Sequence, residues 1–482
     1  MAAPAAKSLD VQAASAQIKK QWDDSVIDTL SKYIAIPNQS PGFDPEWETN
    51  GFQDAAVDLL VSWVKAQAIP GLTLEVLREK GRTPVIFMVV PGSNDTQETV
   101  LLYGHMDKQP PMTEHWMPGT GPHTPVIKDG KLYGRGGADD GYSICAAVGA
   151  LQVLQAQGLP HARAVILVEA CEESGSRDLP YFLEQKKDVV GTPSLVCCLD
   201  SGCHNYEQLW STTSLRGLMM ATLRVDVLTE AVHSGMASGL VPSSFRIMRQ
   251  LLDRIEDAKT GKLPAVCYAA VPPEDLQYAK AAGESVGAAV HKKFPWVAGT
   301  QPVSADPAEL IVNGTWMPAL SYTGVDGMPS CLTAGNVLRS HTTLKLSLRT
   351  PPSVEPQDVA KEFERILSEN PPYGAKVTFT LEKAQKGWQA PKLAPWLSSA
   401  LETASQQFYS KSAMFTGEGG SIPFMGMLGE KFPETQFVIT GVLGPSSNAH
   451  GPNEFLHIDY TQKLVGAVAS ILGAHYNAKV QH

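Results

Sequence analysis

Several things are scarce in this 482-residue sequence, and each scarcity excludes a class of protein. Charged residues make up only 18%, and acids outnumber bases by 49 to 39, giving a formal net charge of −10. That balance argues against general nucleic-acid binding, which needs a basic face. No apolar run approaches the roughly 20 residues that cross a bilayer, so no membrane partner is expected. The seven cysteines include no Cys-x-x-Cys pair, so neither a disulfide framework nor a zinc-thiolate spacing is present. Cys145, Cys171, Cys197, Cys198, Cys267 and Cys331 lie in or beside mostly apolar stretches and read as reduced core residues of a cytoplasmic protein. Met1 to Lys7 lack a basic region followed by an apolar one, so no secretory leader is expected. What remains is a globular chain, 43% hydrophobic and long enough for two domains.

The early part alternates helices with apolar strands. Val11 to Ile36 sets Trp22, Val26, Leu30 and Ile34 at helical spacing, and Phe52 to Val64 sets Ala56, Leu59, Leu60 and Trp63 on one face. Strands are predicted at Pro84 to Val90 and Thr99 to Gly104, with a hairpin turn at Pro91-Gly92-Ser93-Asn94-Asp95. Two further apolar runs, Ala164 to Val168 and Ser194 to Leu199, read as buried parallel strands.

These three later runs lead into polar groups that share a chemistry. The first enters His105-Met106-Asp107, the second reaches Glu172-Glu173, and the third ends at Asp200. In an extended chain, residues two apart point the same way, so Asp107 can hold one ring nitrogen of His105 and leave the other for a metal. A glycine-rich turn, Gly134 to Gly141, carries Asp139-Asp140 into an apolar helix from Ser143 to Leu154. Such turns also cradle phosphates, but the two acids repel phosphate and no Gly-Lys-Ser/Thr follows, so a divalent cation suits the loop better. Taken singly, each of these residues could equally be a solvated loop group.

After Trp210 the pattern changes to alternation, in Leu218 to Val227, Thr342 to Arg349 and Ala375 to Glu382, accompanied by helices at Ser244 to Glu256 and Val359 to Ser368. Residues 212–386 therefore read as an inserted α+β lid or dimerisation domain with an antiparallel sheet. Residues 1–211 and 387–482 read as an α/β catalytic domain with a mostly parallel sheet and helices on both faces. The inserted part contains His233. The last part has a helix from Leu393 to Tyr409, the stretch Gly417 to Pro423, a strand from Gln436 to Gly441, His450 just beyond it, and a closing helix from Tyr460 to His475. His105, Asp139, Glu173, Asp200 and His450 form a two-histidine, three-carboxylate set that suits two zinc, manganese or cobalt ions.

The sequence resembles the metallopeptidases that include aminoacylase, carboxypeptidase G, succinyl-diaminopimelate desuccinylase and the carnosine and cytosolic non-specific dipeptidases. The motifs run in that family's order: His105-x-Asp107, Gly134-Arg135-Gly136-x-x-Asp139-Asp140, Glu172-Glu173-Ser174-Gly175-Ser176, His233-Ser234-Gly235, Glu418-Gly419-Gly420-Ser421-Ile422-Pro423, then His450. The resemblance implies metal-dependent hydrolysis of a dipeptide by a water bridging the two metals. It implies that Asp139 bridges the ions, that His105 and Asp200 complete one site, and that Glu173 and His450 complete the other, with zinc first and manganese or cobalt as alternatives. Glu172 would be the general base, and Asp107 would orient His105. His233 would reach from the lid into the site of a dimer partner. Asn336, Arg349, Glu418, Gly419, Gly420 and Ser421 would hold the substrate ends. Aspartate at position 200 resembles the dipeptidases and aminopeptidases; the carboxypeptidase-like and deacylase relatives tend to have glutamate. Three positions depart from the family pattern: Gly141-Tyr142 replaces Lys-Gly, Gly417 replaces an arginine, and Arg339 replaces a proline. An N-acyl-amino-acid deacylase or carboxypeptidase of the same family, and a non-catalytic binding relative, are the competing readings.

Overall fold

The computed structural model describes residues 8–480. Met1 to Lys7, on which the leader expectation rests, lie outside that range. Six strands form the main sheet, in the order Thr73–Leu77, Val85–Val90, Arg163–Glu169, Thr99–His105, Leu195–Cys198, Gln436–Ile439. The last four are mutually parallel, and the first two join antiparallel.

The apolar runs are continuous because the sheet is covered on both faces. Val100, Leu102 and Ile166 face a core built with Trp22, Leu60 and Leu464. Leu101, Tyr103 and Leu167 face the opposite core, which includes Phe182, Phe424 and Leu428. The N-terminal helical region is two helices, Val11–Gln21 and Ile27–Ile34, joined through a wider turn at Trp22–Val26. Helix Ser143–Ala156 is buried nearly all round, as its uniformly apolar sequence requires.

The predicted hairpin between Val85–Val90 and Thr99–His105 does not form. Strand Arg163–Glu169 lies between them and pairs with both. The Pro91-to-Asp95 turn wraps the start of that intervening strand instead: Ser93 N–H donates to the His161 carbonyl at 2.9 Å, and Arg163 N–H donates to the Glu98 carbonyl at 2.9 Å.

A second sheet, wholly antiparallel, runs in the order Ala319–Asp326, His341–Thr350, Gly217–Asp226, Lys376–Gln385. Helices Ser244–Leu252 and Pro356–Ser368 close it over a separate core that includes Leu223, Ile247, Leu346 and Phe363. The outer strand Ala319–Asp326 was not foreseen, since it is mostly exposed and lacks clean alternation. Between the lid strands, helices Pro273–Val286 and Pro307–Thr315 turn back to the main body, where Ala279, Ala282 and Ile311 join the first core.

Six cysteines are buried and free, Cys203 among them. Cys331 corrects the expectation of a core thiol: it is exposed, in a stretch at 327–336 whose neighbour Leu332 is also exposed. Among the described residues, no helix is long and apolar enough to cross a membrane.

Candidate metal centre

Strand ends place the first group of side chains. His105 closes its strand, Asp200 lies two residues past Leu195–Cys198, and Glu172 and Glu173 share a short turn just beyond Arg163–Glu169. Gly104 permits the close approach of Asp139-Asp140. A Cβ there would lie 2.1 Å from Ser143 Oγ and 2.7 Å from Asp140 Oδ2. Asp140 Oδ2 accepts the His105 backbone N–H at 3.1 Å, which ties the strand end to the acidic loop.

His450 comes from a loop after Gln436–Ile439 and has a left-handed φ of 64°, uncommon for a residue with a side chain. Strand Phe455–His457 pairs with Lys131–Tyr133 and brings that loop alongside the acidic one. One buried carboxylate then fixes the two together. Glu454 accepts from Arg135 Nη1 at 2.7 Å, and from the N–H groups of Gly136, Ala138 and Asp139 at 3.0, 3.1 and 3.2 Å. Arg135 Nη2 donates to the Gly451 carbonyl, next to His450, at 2.8 Å.

Asp139 stands between the two imidazoles. Its Oδ1 lies 3.3 Å from His105 Nε2, and its Oδ2 lies 3.1 Å from His450 Nε2. Asp200 Oδ1 lies 3.7 Å from His105 Nε2, and Glu173 Oε2 lies 3.4 Å from His450 Nε2. Asp107 works on two neighbours. Its Oδ1 is 3.4 Å from His105 Nδ1, and its two oxygens accept the N–H groups of Glu172 and Glu173, each at 3.1 Å.

The electrostatics call for cations. Burial, reinforced by Asp200, pushes the Glu172 carboxyl well above its ordinary range, and burial with Asp139 does the same to Glu173. Burial would also raise Asp139, but hydrogen bonding to His105 and His450 holds it below the usual carboxylate range. Burial would lower His105, yet Asp200, Asp107 and Asp139 together raise it. Among the described residues, no lysine or arginine forms an ion pair with Asp139, Asp140, Glu172, Glu173 or Asp200. Asp140 Oδ1 and Glu173 Oε1 are buried without a hydrogen-bond donor. Buried carboxylate oxygens left this way are costly unless a cation sits among them. Two sets of donor atoms close enough to share an ion occur here, His105 with Asp139 and Glu173, and His105 with Asp140 and Asp200. Imidazole with carboxylate suits zinc, manganese or cobalt.

A cavity of about 260 Å³ opens over these groups, lined by Asp139, Glu172, Asp200, His450, Glu418, Gly420 and Ser421 among others. Gly419 lines an adjoining cavity. His233, Asn336 and Arg349 do not line the catalytic one. His233 is exposed on a short pairing of Val232–His233 with Val337–Leu338, and the Asn336 carbonyl accepts the Ser234 N–H at 3.0 Å, so both sit at one tip of the lid. Arg349 lies in lid strand His341–Thr350, where it adds to burial in lowering the neighbouring Arg216 to about 10. Asp140, Arg135 and Glu454 were missed as functional. Asp140 was visible as half of an acid pair, but the Arg135–Glu454 contact spans 319 residues and leaves no local signal.

Cys-Gly metallodipeptidase DUG1 of Candida albicans is 26% identical over 460 residues, covering 90% of each chain. The human Beta-Ala-His dipeptidase is 26% identical over 361 residues, 72% of this chain and 69% of its own. The solved structure of the di-peptidase Dug1p from Saccharomyces cerevisiae superposes with a TM-score of 0.76 at 22% identity, covering 98% of this chain and 100% of that one. The model of peptidase family M20/M25/M40 matches residues 101–474, and the chain belongs to that family.

Proposed function

We propose that the protein is a metal-dependent dipeptidase holding two divalent ions per subunit. The observation that carries this reading is Asp139, which offers one carboxylate oxygen to each of two imidazoles in a cleft rich in unpaired acids. His105 and Asp200 would hold one ion, Glu173 and His450 the other, with Asp139 between them. Zinc fits these donors, and manganese or cobalt would also be accepted. Bound cations supply Lewis acidity, which polarises a peptide carbonyl and makes water a better nucleophile at neutral pH.

The chain's own residues do the rest. Glu172 accepts a proton from the attacking water on its carboxylate and delivers it to the leaving amine nitrogen. Asp107 keeps the free nitrogen of His105 aimed into the cleft and fixes the backbone turn carrying both glutamates. Glu418, Gly419, Gly420 and Ser421 hold one end of the peptide, and Arg349 with Asn336 the other. Residues 212–386 act as the inserted lid, the catalytic part being 1–211 and 387–482; the separate lid core supports this division, while helices Pro273–Val286 and Pro307–Thr315 of the insertion pack into the catalytic core. His233 completes the site of a partner subunit in a homodimer. The unpaired edge at Ala319–Asp326, with Tyr322, Val325, Met328 and Leu332 exposed, is the surface that supports dimerisation. Six buried free thiols support a cytoplasmic setting.

Metal-stripped protein, reloaded separately with zinc and with manganese, tests the proposal against free dipeptides, their N-acetylated forms and a tripeptide. The expected result is cleavage of free dipeptides only, and only with metal. Cleavage of the acylated forms instead would move the protein to the deacylase reading.

A further inference from the structure

Beside the catalytic cavity lies a second one of about 440 Å³, with apolar walls that include Val290, Phe294, Trp296, Val303, Leu310 and Ile311. The two cavities share His204, Lys293, Glu418 and Gly420, so they meet at a common neck. The wall is built, yet it is incompletely covered. Phe294 is 55% exposed, Trp296 42% and Val303 88%. Trp296 is nonetheless held, by its Nε1–H donating to the His291 carbonyl at 2.7 Å and by an edge-on contact with Phe294 at 6.3 Å between ring centroids. Large apolar side chains fixed in place but left in water mark a surface that a ligand covers.

The polar groups around this annex say what enters it. Arg216 is already engaged by the carbonyls of Gly419 and Met317, at 3.3 and 3.2 Å. Burial pushes His204 down to about 4, so the ring at the neck is neutral. Glu418 is half-buried at the same neck, beside Lys293, and its carboxylate is the natural partner of a substrate's α-ammonium group. With the ammonium at Glu418 and the scissile carbonyl over the metal ligands, the amino-terminal Cα stands at the neck. Its side chain then has the annex in front of it.

We propose that this annex is the specificity pocket for the substrate's amino-terminal side chain, and that the preferred substrates are dipeptides with a bulky apolar or aromatic residue there. The inference rests on the dipeptidase reading for the orientation of the peptide. Gly314 supplies the test. It lines the annex from helix Pro307–Thr315, and a Cβ added to it meets nothing within 4 Å. Gly314→Leu therefore adds an apolar side chain at the annex wall with its Cβ in open space, and leucine is a better helix former than glycine.

The experiment compares kcat/KM for Phe-Gly, Leu-Gly, Ala-Gly and Glu-Gly in metal-loaded wild type and Gly314→Leu. Alongside it, calorimetry compares binding of the non-hydrolysable phenylalaninol and alaninol. The expected result is a preference of about tenfold or more for Phe-Gly over Ala-Gly, equivalent to about 1.4 kcal/mol. Gly314→Leu removes that preference by lowering kcat/KM for Phe-Gly and Leu-Gly more than for Ala-Gly, as expected for a pocket that discriminates by apolar volume. Equal rates for Phe-Gly and Ala-Gly, fastest turnover of Glu-Gly, or a preference untouched by Gly314→Leu would each overturn the assignment. The binding arm separates the two readings. If no dipeptide is cleaved, the dipeptidase reading fails; phenylalaninol binding that is tighter than alaninol binding and abolished by Gly314→Leu then still upholds the pocket, and equal binding sinks it.

Discussion

The floor of the cleft and the tip of the lid carry residues of the same proposed site, but they are built in opposite ways. On the floor, His105, Asp107 and Asp139 are buried at strand and loop ends, and every position is fixed by a second group: Asp140 on the His105 backbone, Asp107 on the Glu172–Glu173 turn, Glu454 on the Asp139 loop. At the tip, His233 is exposed, and the segment around it is held by a two-residue strand pairing and the Ser234 N–H on the Asn336 carbonyl. The floor is preorganised, as a centre that must hold charge against repulsion has to be. The tip has no comparable support within its own subunit, which fits a group that finds its place against another molecule.

Breaking one side of this contrast should behave differently from breaking the other. Glu172→Ala should lower turnover by about 10³-fold, the usual scale for losing a general base, while metal content by mass spectrometry stays at two ions per subunit; persistent turnover would remove Glu172 from that role. His233→Ala should cost about 10²-fold, the scale for a misplaced contact. Mixing it with Glu172→Ala should recover part of the rate through hybrid dimers, because each mutant supplies what the other lacks. No recovery despite proven subunit exchange would place His233 in its own site. Glu454→Gln keeps the shape of the clamp but removes the charge facing Arg135. It should weaken metal binding about 10- to 100-fold by competition with a chelator, whereas a lid substitution should leave that affinity unchanged.

The smallest effect concerns Glu169, which accepts hydroxyl hydrogen bonds from Tyr103 and Ser176, each at 2.7 Å, beneath the floor. Burial, then the charge of Asp107, lifts its carboxyl to about 8. A raised folded-state value means the native protein holds a proton that the unfolded chain has already released. Stability from this group is therefore full below about 4.5 and is lost as pH rises through about 8. Glu169→Gln should remove that part of the pH dependence, read as a smaller fall in Tm between pH 6 and pH 9 in the metal-free protein.

The sequence exposed the floor better than the lid for a physical reason. Continuous apolar runs demand burial on both faces, so the groups after them, His105, Glu173 and Asp200, had to converge at one edge. The Pro91-to-Asp95 turn misled because sheet order is not local: the strand that separates its flanks arrives some 60 residues later. Cys331 misled because it sits beside apolar residues, and Leu332 shows that apolar neighbours can themselves lie in water. Asp140 is visible in the sequence only as half of an acid pair, because its partner is a backbone N–H. The annex was invisible because Phe294 and Trp296 acquire meaning only when Gly417 to Gly420 fold opposite them.

The Arg135–Glu454 clamp also sets a schedule for the chain's birth. The two residues are 319 positions apart, so at about 5–20 residues per second a ribosome needs roughly 15 to 60 seconds to travel from one to the other. For that interval the acidic loop at Asp139 exists without the carboxylate that holds its backbone and without His450. Of the proposed ligands, His105, Asp139, Glu173 and Asp200 are already made by then, and the last, His450, arrives together with the clamp.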